Sequence, residues 1–166
     1  MRWQTPLPRP HHLRIDPGAC RALRVRVTWG GGTPEGPSTG FCDGTNGYGP
    51  DGKCAAAVTA GFDCSSLVQY AYWPLMQLPR VSADQHAATA QHPVERHALR
   101  PGDLVFWHNG ERIYHVGLYA GDGEVIHAPR TGKVIARVPL DEAMPKEHYY
   151  GATRPLDARR EPTDAL

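Results

Sequence analysis

The sequence predicts an α+β domain in which N-terminal helices pack on an antiparallel sheet. Three observations carry that prediction. Apolar residues recur at helical spacing through "DCSSLVQYAYW" (63–73), the period changes to two from residue 103, and the period-two runs are separated by glycine-containing turns. Helices followed by consecutive strands is the order of an α+β layout.

Taken in order, residues 1–22 are proline-rich and read as a poorly ordered arm, and 156–166 as a charged tail. The domain is therefore expected over 23–155. "RVRVTW" (24–29) alternates and is a candidate strand, stopped by Gly30, Gly31 and Gly32. Residues 33–60 are rich in glycine and proline, and too long for an ordinary connection, so they read as a surface insert. Asp63 is a good N-cap for the helix that follows, and Pro74 ends it after about three turns. Within it Cys64, Leu67, Val68, Ala71 and Leu75 share a face, which puts Cys64 on the buried side of the first turn. Ser82 and Gln85 in "SADQ" have capping-box spacing for a second short helix. Strands are predicted at 103–107, 112–119, 124–127 and 133–138, with one more at 149–154.

The composition bounds the function. With 166 residues the chain has the length of one domain with a real core, and 40% hydrophobic with 21% charged residues is globular. A net charge of +1 offers no electrostatic case for nucleic acid or an anionic membrane surface. No apolar run approaches the roughly 18 residues that span a bilayer. The N-terminus lacks the apolar core of a signal peptide, which leaves an excised piece or export without a cleavable leader.

Four cysteines, Cys20, Cys42, Cys54 and Cys64, contain no C-x-x-C pair, which argues against a zinc ribbon or a thioredoxin-type site. Cys42 and Cys54 flank "DGTNGYGPDGK", a loop whose ends can meet, and are the candidate disulfide. Composition leaves their oxidation open, because it depends on the compartment. Cys20 is predicted to remain a thiol. Alone, Cys64 reads as a small core residue.

His115 and His127 change that reading. By alternation Ile113, His115, Gly117 and Tyr119 share a strand face, with open space beside the ring at Gly117. A two-residue turn, Asp122-Gly123, would put His127 opposite Leu118 and on the wrong side. A three-residue turn, Gly121-Asp122-Gly123, puts it opposite Gly117 and beside His115, and this is the register predicted. With the Cys64 helix packed on that face, a Cys–His–His line results. Cysteine attacks as thiolate, His115 takes and returns the proton, and His127 holds the far nitrogen of His115. Backbone N–H groups at the helix start face a developing oxyanion.

Six segments in order carry a resemblance: "WGGG", "GFDCSSLVQYAY", "LPRVSADQ", "LRPGDLVFW", "YHVGLYAGDGEVIHAP" and "YYGATRP". They resemble NlpC/P60 domains, papain-like cysteine peptidases of bacterial cell walls. The resemblance runs from about Trp29 to Pro155. It implies the papain-like NlpC/P60 fold and a triad of Cys64, His115 and His127, with no cofactor and no metal. It implies hydrolysis of peptidoglycan stem peptides, commonly at the γ-D-Glu–diamino-acid linkage. Asp63, Ser65, Arg80 and Ser82 take the implied substrate-binding positions. The expected setting is extracellular, cell wall or periplasm, and the expected state a monomer; an immunity or targeting protein is conceivable.

Three departures stand out. The family usually has a tyrosine two residues before the "WGG" tryptophan, where this chain has Val27, which cannot donate. Losing such a donor is worth about 10²-fold in rate unless Tyr70, Tyr114 or a serine substitutes. Ser66 replaces the usual glycine of "DCSG", and the 33–60 insert is longer than the common version and is expected to overhang one end of the groove. Competing readings are a Cys–His–His zinc site, acyl transfer or deamidation by the same fold, and a catalytically weak wall-binding module.

Overall fold

In the computed structural model, which describes residues 16–73 and 75–155, the second half of the chain forms a six-stranded antiparallel sheet. Its strands are β1 (Pro93–Val94), β2 (Leu104–His108), β3 (Ile113–Gly121), β4 (Glu124–His127), β5 (Ala136–Pro139) and β6 (Tyr149–Thr153). They lie in the order β1-β6-β2-β3-β4-β5. Helices α1 (Asp16–Arg21), α2 (Cys64–Tyr72) and α3 (Ser82–Thr89) precede them, and a short α4 (Leu140–Ala143) follows β5. The architecture is α+β.

Alternation gives the sheet two apolar faces. Leu104, Phe106, Val116, Leu118 and Ile126 pack against Leu67, Val68 and Ala71 of α2 and against Ala19 and Ala22. Val105, Trp107, Val125 and Ala152 form a second cluster with Leu140 of α4 on the opposite face. The two faces are locked at the start of β2. Asp103 is buried against Arg154 at 2.8 Å, and the Tyr72 hydroxyl donates to the Gly102 carbonyl at 2.6 Å.

Several expectations are corrected. Residues 16–21, assigned to the arm, form α1, where Ala19 and then Ala22 bury almost completely against α2. The rest of the arm, the tail at 156–166 and Pro74 lie outside the described residues. Helix α2 ends at Tyr72, and Leu75 lies beyond it with 43% of its surface exposed, so the apolar face stops at Ala71. The segment 24–29 is no sheet strand. Arg24 has φ +68°, and the chain then makes single bridges, Arg26 to Val134 and Val27 to Phe62. It thereby occupies the backbone of 133–135, and β5 starts only at Ala136. In "SADQ" no capping box forms: Val81 is the cap residue, and Gln85 turns inward to donate to the Ser65 and Pro79 carbonyls at 2.9 and 2.8 Å. Helices α1 and α4 and the two-residue β1 carry too short a pattern to be read from sequence.

The hairpin has the expected register by a different route. Leu118 pairs with Ile126 and Tyr119 with Val125, so Gly117 stands opposite His127. At the tip, however, Gly121 pairs with Glu124 around a two-residue turn, with Asp122 and Gly123 at φ 55° and 76°. A bulge between Tyr119 and Gly121 then restores the register.

Candidate active site

Cys64 opens α2, and Asp63 caps it. The Ser66 N–H donates to Asp63 Oδ1 at 2.9 Å, and the Asp63 N–H donates to Ser66 Oγ at 3.0 Å, a complete capping box. The Ser66 hydroxyl also donates to the Gly31 carbonyl at 2.7 Å. Serine in place of the glycine of the "DCSG" pattern therefore anchors the helix start to the "WGGG" turn. Cysteines 42 and 54 are joined in a disulfide, and Cys64 is a thiol.

His115 and His127 meet. Nε2 of His115 lies 2.8 Å from Nδ1 of His127, with the rings edge to face. Both are almost fully buried. Gly117 makes room for the pair: a Cβ there would stand 3.4 Å from both His127 Cβ and Trp107 Cζ3. The space expected beside His115 is thus taken by an indole and an imidazole rather than left open.

The helix does not pack on the histidine face, which corrects the expected layout. His115 pairs with Trp107 and shares the face of Val105 and Val125, whereas α2 lies on the face of Val116 and Leu118. Cys64 instead approaches β3 from the strand edge. Strand β4 ends at His127, so β3 from Tyr114 to Val116 has no neighbour there, and the thiol comes within hydrogen-bonding reach of the Val116 backbone. Cys64, Tyr114 and His115 consequently line one cavity of about 270 Å³.

The two nitrogens, 2.8 Å apart, are bonded to each other, closer than the roughly 3.3 Å that separates two nitrogens held about 2.0–2.1 Å from a tetrahedral zinc. For Nδ1 of His115 to receive the thiol proton it must be unprotonated. The Nε2–H of His115 then donates to His127 Nδ1, which sets both tautomers.

Burial governs the charges. Burial, with the Asp63 carboxylate adding to it, pushes the Cys64 thiol up to about 12. Burial, then the neighbouring His127, holds His115 well below the ordinary histidine value, and burial brings His127 down to about 4. The resting site is therefore a neutral thiol beside a neutral imidazole. An internal proton transfer creates no net charge, so it costs less than ionising either group alone.

Three of the four residues assigned to substrate binding, Asp63, Ser65 and Arg80, form one network rather than one wall. Arg80 grips both Asp63 oxygens, at 2.9 and 2.7 Å, and also donates to Ser65 Oγ at 2.9 Å and the Gly31 carbonyl at 3.2 Å. Of the four, Asp63 alone lines the cavity, and Ser82 is buried at the start of α3. Val27 lines the cavity too. Tyr70, offered as a substitute donor, packs on Phe62 and is not part of that lining. Tyr114 does line it, with its hydroxyl 2.8 Å from His148 Nδ1.

The insert expected to overhang one end of the groove lines the cavity, through residues not singled out in the sequence. Thr45, Asn46, Gly47 and Tyr48, inside the disulfide loop, line the cavity. Asp43 builds their turn by accepting from the N–H groups of Thr45 and Asn46 at 2.9 and 2.6 Å. Gly47 has φ +94°, and a Cβ there would meet Cys42 Sγ at 2.9 Å and Phe41 O at 2.6 Å. Close packing of the loop on its own bridge thus requires glycine. Arg130 and Thr131 were missed as well. The signal available was "HAPRT", continuous with His127.

The chain is similar to known proteins over most of this architecture. A model of the NlpC/P60 family matches residues 25–154. Murein DD-endopeptidase MepH of Escherichia coli is 43% identical over 98 residues, covering 57% of this chain and 36% of that protein. Peptidoglycan endopeptidase RipB of Mycobacterium tuberculosis is 37% identical over 122 residues, covering 73% and 44%. The chain thus spans less than half the length of these relatives. Among solved structures, the peptidoglycan hydrolase RipB superposes with a TM-score of 0.68 at 28% identity, over 93% of this chain and 74% of that one. RipD of Mycobacterium tuberculosis, described as a non-catalytic domain adapted to peptidoglycan binding, superposes at 0.67 and 26% identity, over 85% and 94%.

Proposed function

The chain belongs to the NlpC/P60 family, and from that premise we propose that it is a cysteine endopeptidase acting on peptidoglycan stem peptides through an acyl-enzyme on Cys64. The observation that carries this reading is the 2.8 Å bond from His115 to His127, with His115 and Cys64 on one cavity at a helix N-terminus.

The steps follow from the geometry. As sulfur attacks the scissile carbonyl carbon, the thiol proton passes to Nδ1 of His115. His127, accepting from Nε2, stabilises the imidazolium. The free N–H groups of the first helical turn face the oxyanion. Collapse breaks the C–N bond, and His115 gives its proton to the leaving amine. Water then loses a proton to His115 and attacks the thioester, the C–S bond breaks, and the proton returns to sulfur. Action on the cell wall implies an extracytoplasmic location, and among the described residues no helix is long and apolar enough to cross a membrane.

The test is digestion of purified peptidoglycan, with products read by mass. New muropeptides are expected with the wild type and none with Cys64→Ala. Unchanged muropeptides with the wild type remove the proposal. One observation favours a second reading, a wall-binding module: Val27 brings no hydroxyl to the cavity. Peptidoglycan binding without cleavage would select it.

A further inference from the structure

Two charged side chains line the cavity, Asp63 and Arg130. They differ in what they face. Both Asp63 oxygens are taken up by Arg80, with the Ser66 amide and the Ser65 hydroxyl on the same carboxylate. Arg130 is exposed, and among the described residues no carboxylate pairs with its guanidinium. The cavity thus carries one uncompensated charge, and it is positive.

Its position is built. Arg130 follows His127 by three residues, so its Cα lies within about 10 Å of that of the histidine. The Lys133 N–H donates to the Arg130 carbonyl at 3.1 Å, closing a turn with Gly132 at φ +91°. Thr131 Oγ1 accepts from the Trp29 N–H at 3.0 Å, and the Lys133 carbonyl accepts from the Val27 N–H at 2.9 Å. The turn is therefore tied to Val27 and Trp29 of the cavity lining by the residues that follow Arg130. The planar five-donor guanidinium of Arg130, without a carboxylate partner among the described residues and on a backbone fixed beside the cavity, suits a bidentate carboxylate.

We infer that Arg130 is a specificity-determining residue that binds a free carboxylate of the substrate while the scissile carbonyl sits at Cys64. The inference rests on the proposed action on stem peptides, taken at the γ-D-Glu–diamino-acid linkage that the resemblance implies. A γ-linked glutamate leaves its α-carboxylate free beside the scissile bond, and a diamino acid brings another on the amine side. Both offer the same ligand, and amidating either one removes it.

The experiment uses matched stem peptides: fully acidic, amidated on the glutamate, and amidated on the diamino acid. Kinetics are compared for the wild type, Arg130→Gln and Arg130→Lys. The wild type is expected to prefer the acid over one of the amides by about 10- to 100-fold in kcat/KM, mostly through KM. Arg130→Gln collapses that ratio to near one, and Arg130→Lys retains part of it. The amide that abolishes the preference identifies the carboxylate. A ratio unchanged by Arg130→Gln, or no acid preference in the wild type, overturns the inference while leaving the peptidase reading intact. Cleavage of none of the peptides by the wild type strikes the peptidase reading instead. Calorimetric binding to Cys64→Ala, with and without Arg130→Gln, then decides the carboxylate contact: equal acid and amide affinities overturn it.

Discussion

The cavity has one wall held by a hydrophobic core and another held by turns and a disulfide. Cys64 and His115 are fixed because α2 and β3 bury Leu67, Val68, Val116 and Leu118 between them. Thr45 to Tyr48 have no such support. Their order comes from the Asp43 turn, the tightly packed Gly47, the Tyr48–Cys54 bridge and the covalent link from Cys42 to Cys54. The difference teaches that the candidate reacting groups and the shape of the cleft are stabilised independently. One wall resists change through packing, and the other can be loosened without disturbing the core.

The largest effect expected from breaking this arrangement is at His127. Replacing it with leucine removes the acceptor from His115 Nε2 and frees the ring to take the wrong tautomer, lowering kcat by about 10³-fold with little change in KM. His127→Asn keeps an acceptor and should recover most of that loss. A structural role for His127 predicts equal damage from both changes, which stopped-flow or steady-state kinetics would reveal.

The pH profile sharpens the same wall. His115 and His127 are held below the ordinary 6.5, so the neutral pair persists into mild acid and the acid limb of kcat/KM falls below pH 6.5. With the thiol at about 12, no alkaline limb from Cys64 enters the accessible range. An acid limb at or above 6.5 would contradict the burial argument. Stability carries the matching sign. The unfolded chain protonates His127 at about 6.5 and the folded one at about 4, so stability present above 6.5 is lost as pH falls between them. His127→Asn should flatten that part of the curve.

The disulfide tests the other wall. Its two cysteines are 12 residues apart, and closing such a loop is worth roughly 2–4 kcal/mol. In Cys42→Ser/Cys54→Ser the insert should lose amide-exchange protection while the sheet keeps its own, and KM should rise about tenfold with kcat nearly unchanged. Simultaneous loss of protection in β2 and β3 would mean that the walls are not independent. The smallest effect is expected for Ser66→Gly, which deletes half of the capping box and the bond to Gly31. It should cost about 1–2 kcal/mol in denaturant unfolding and leave the pH profile in place.

The helix of Cys64, its Asp63 cap, the positions of β2, β3, β4 and β6 and the pairing of Gly117 with His127 were legible in the sequence. Each rests on a short-range rule, a 3.6 or 2.0 period or a turn residue, that nearby side chains suffice to satisfy. The expected chemistry of Cys64, His115 and His127 came from the same segments. Which side of the sheet the helix takes was not legible. Both faces are apolar, with Phe106 and Val116 on one and Val105 and Trp107 on the other, so periodicity cannot choose between them.

Tertiary structure decided that choice, and with it the placing of Cys64 and His115 on one cavity at the open edge of β3. It also turned Arg80 onto Asp63 and brought Asn46 and Tyr48 into the cavity, contacts between segments far apart in the chain. The sequence by itself determined which residues are the candidates for the chemistry, because local periodicity and capping are written locally. Only the folded chain decided what faces them, because long-range contacts depend on where every other element is buried.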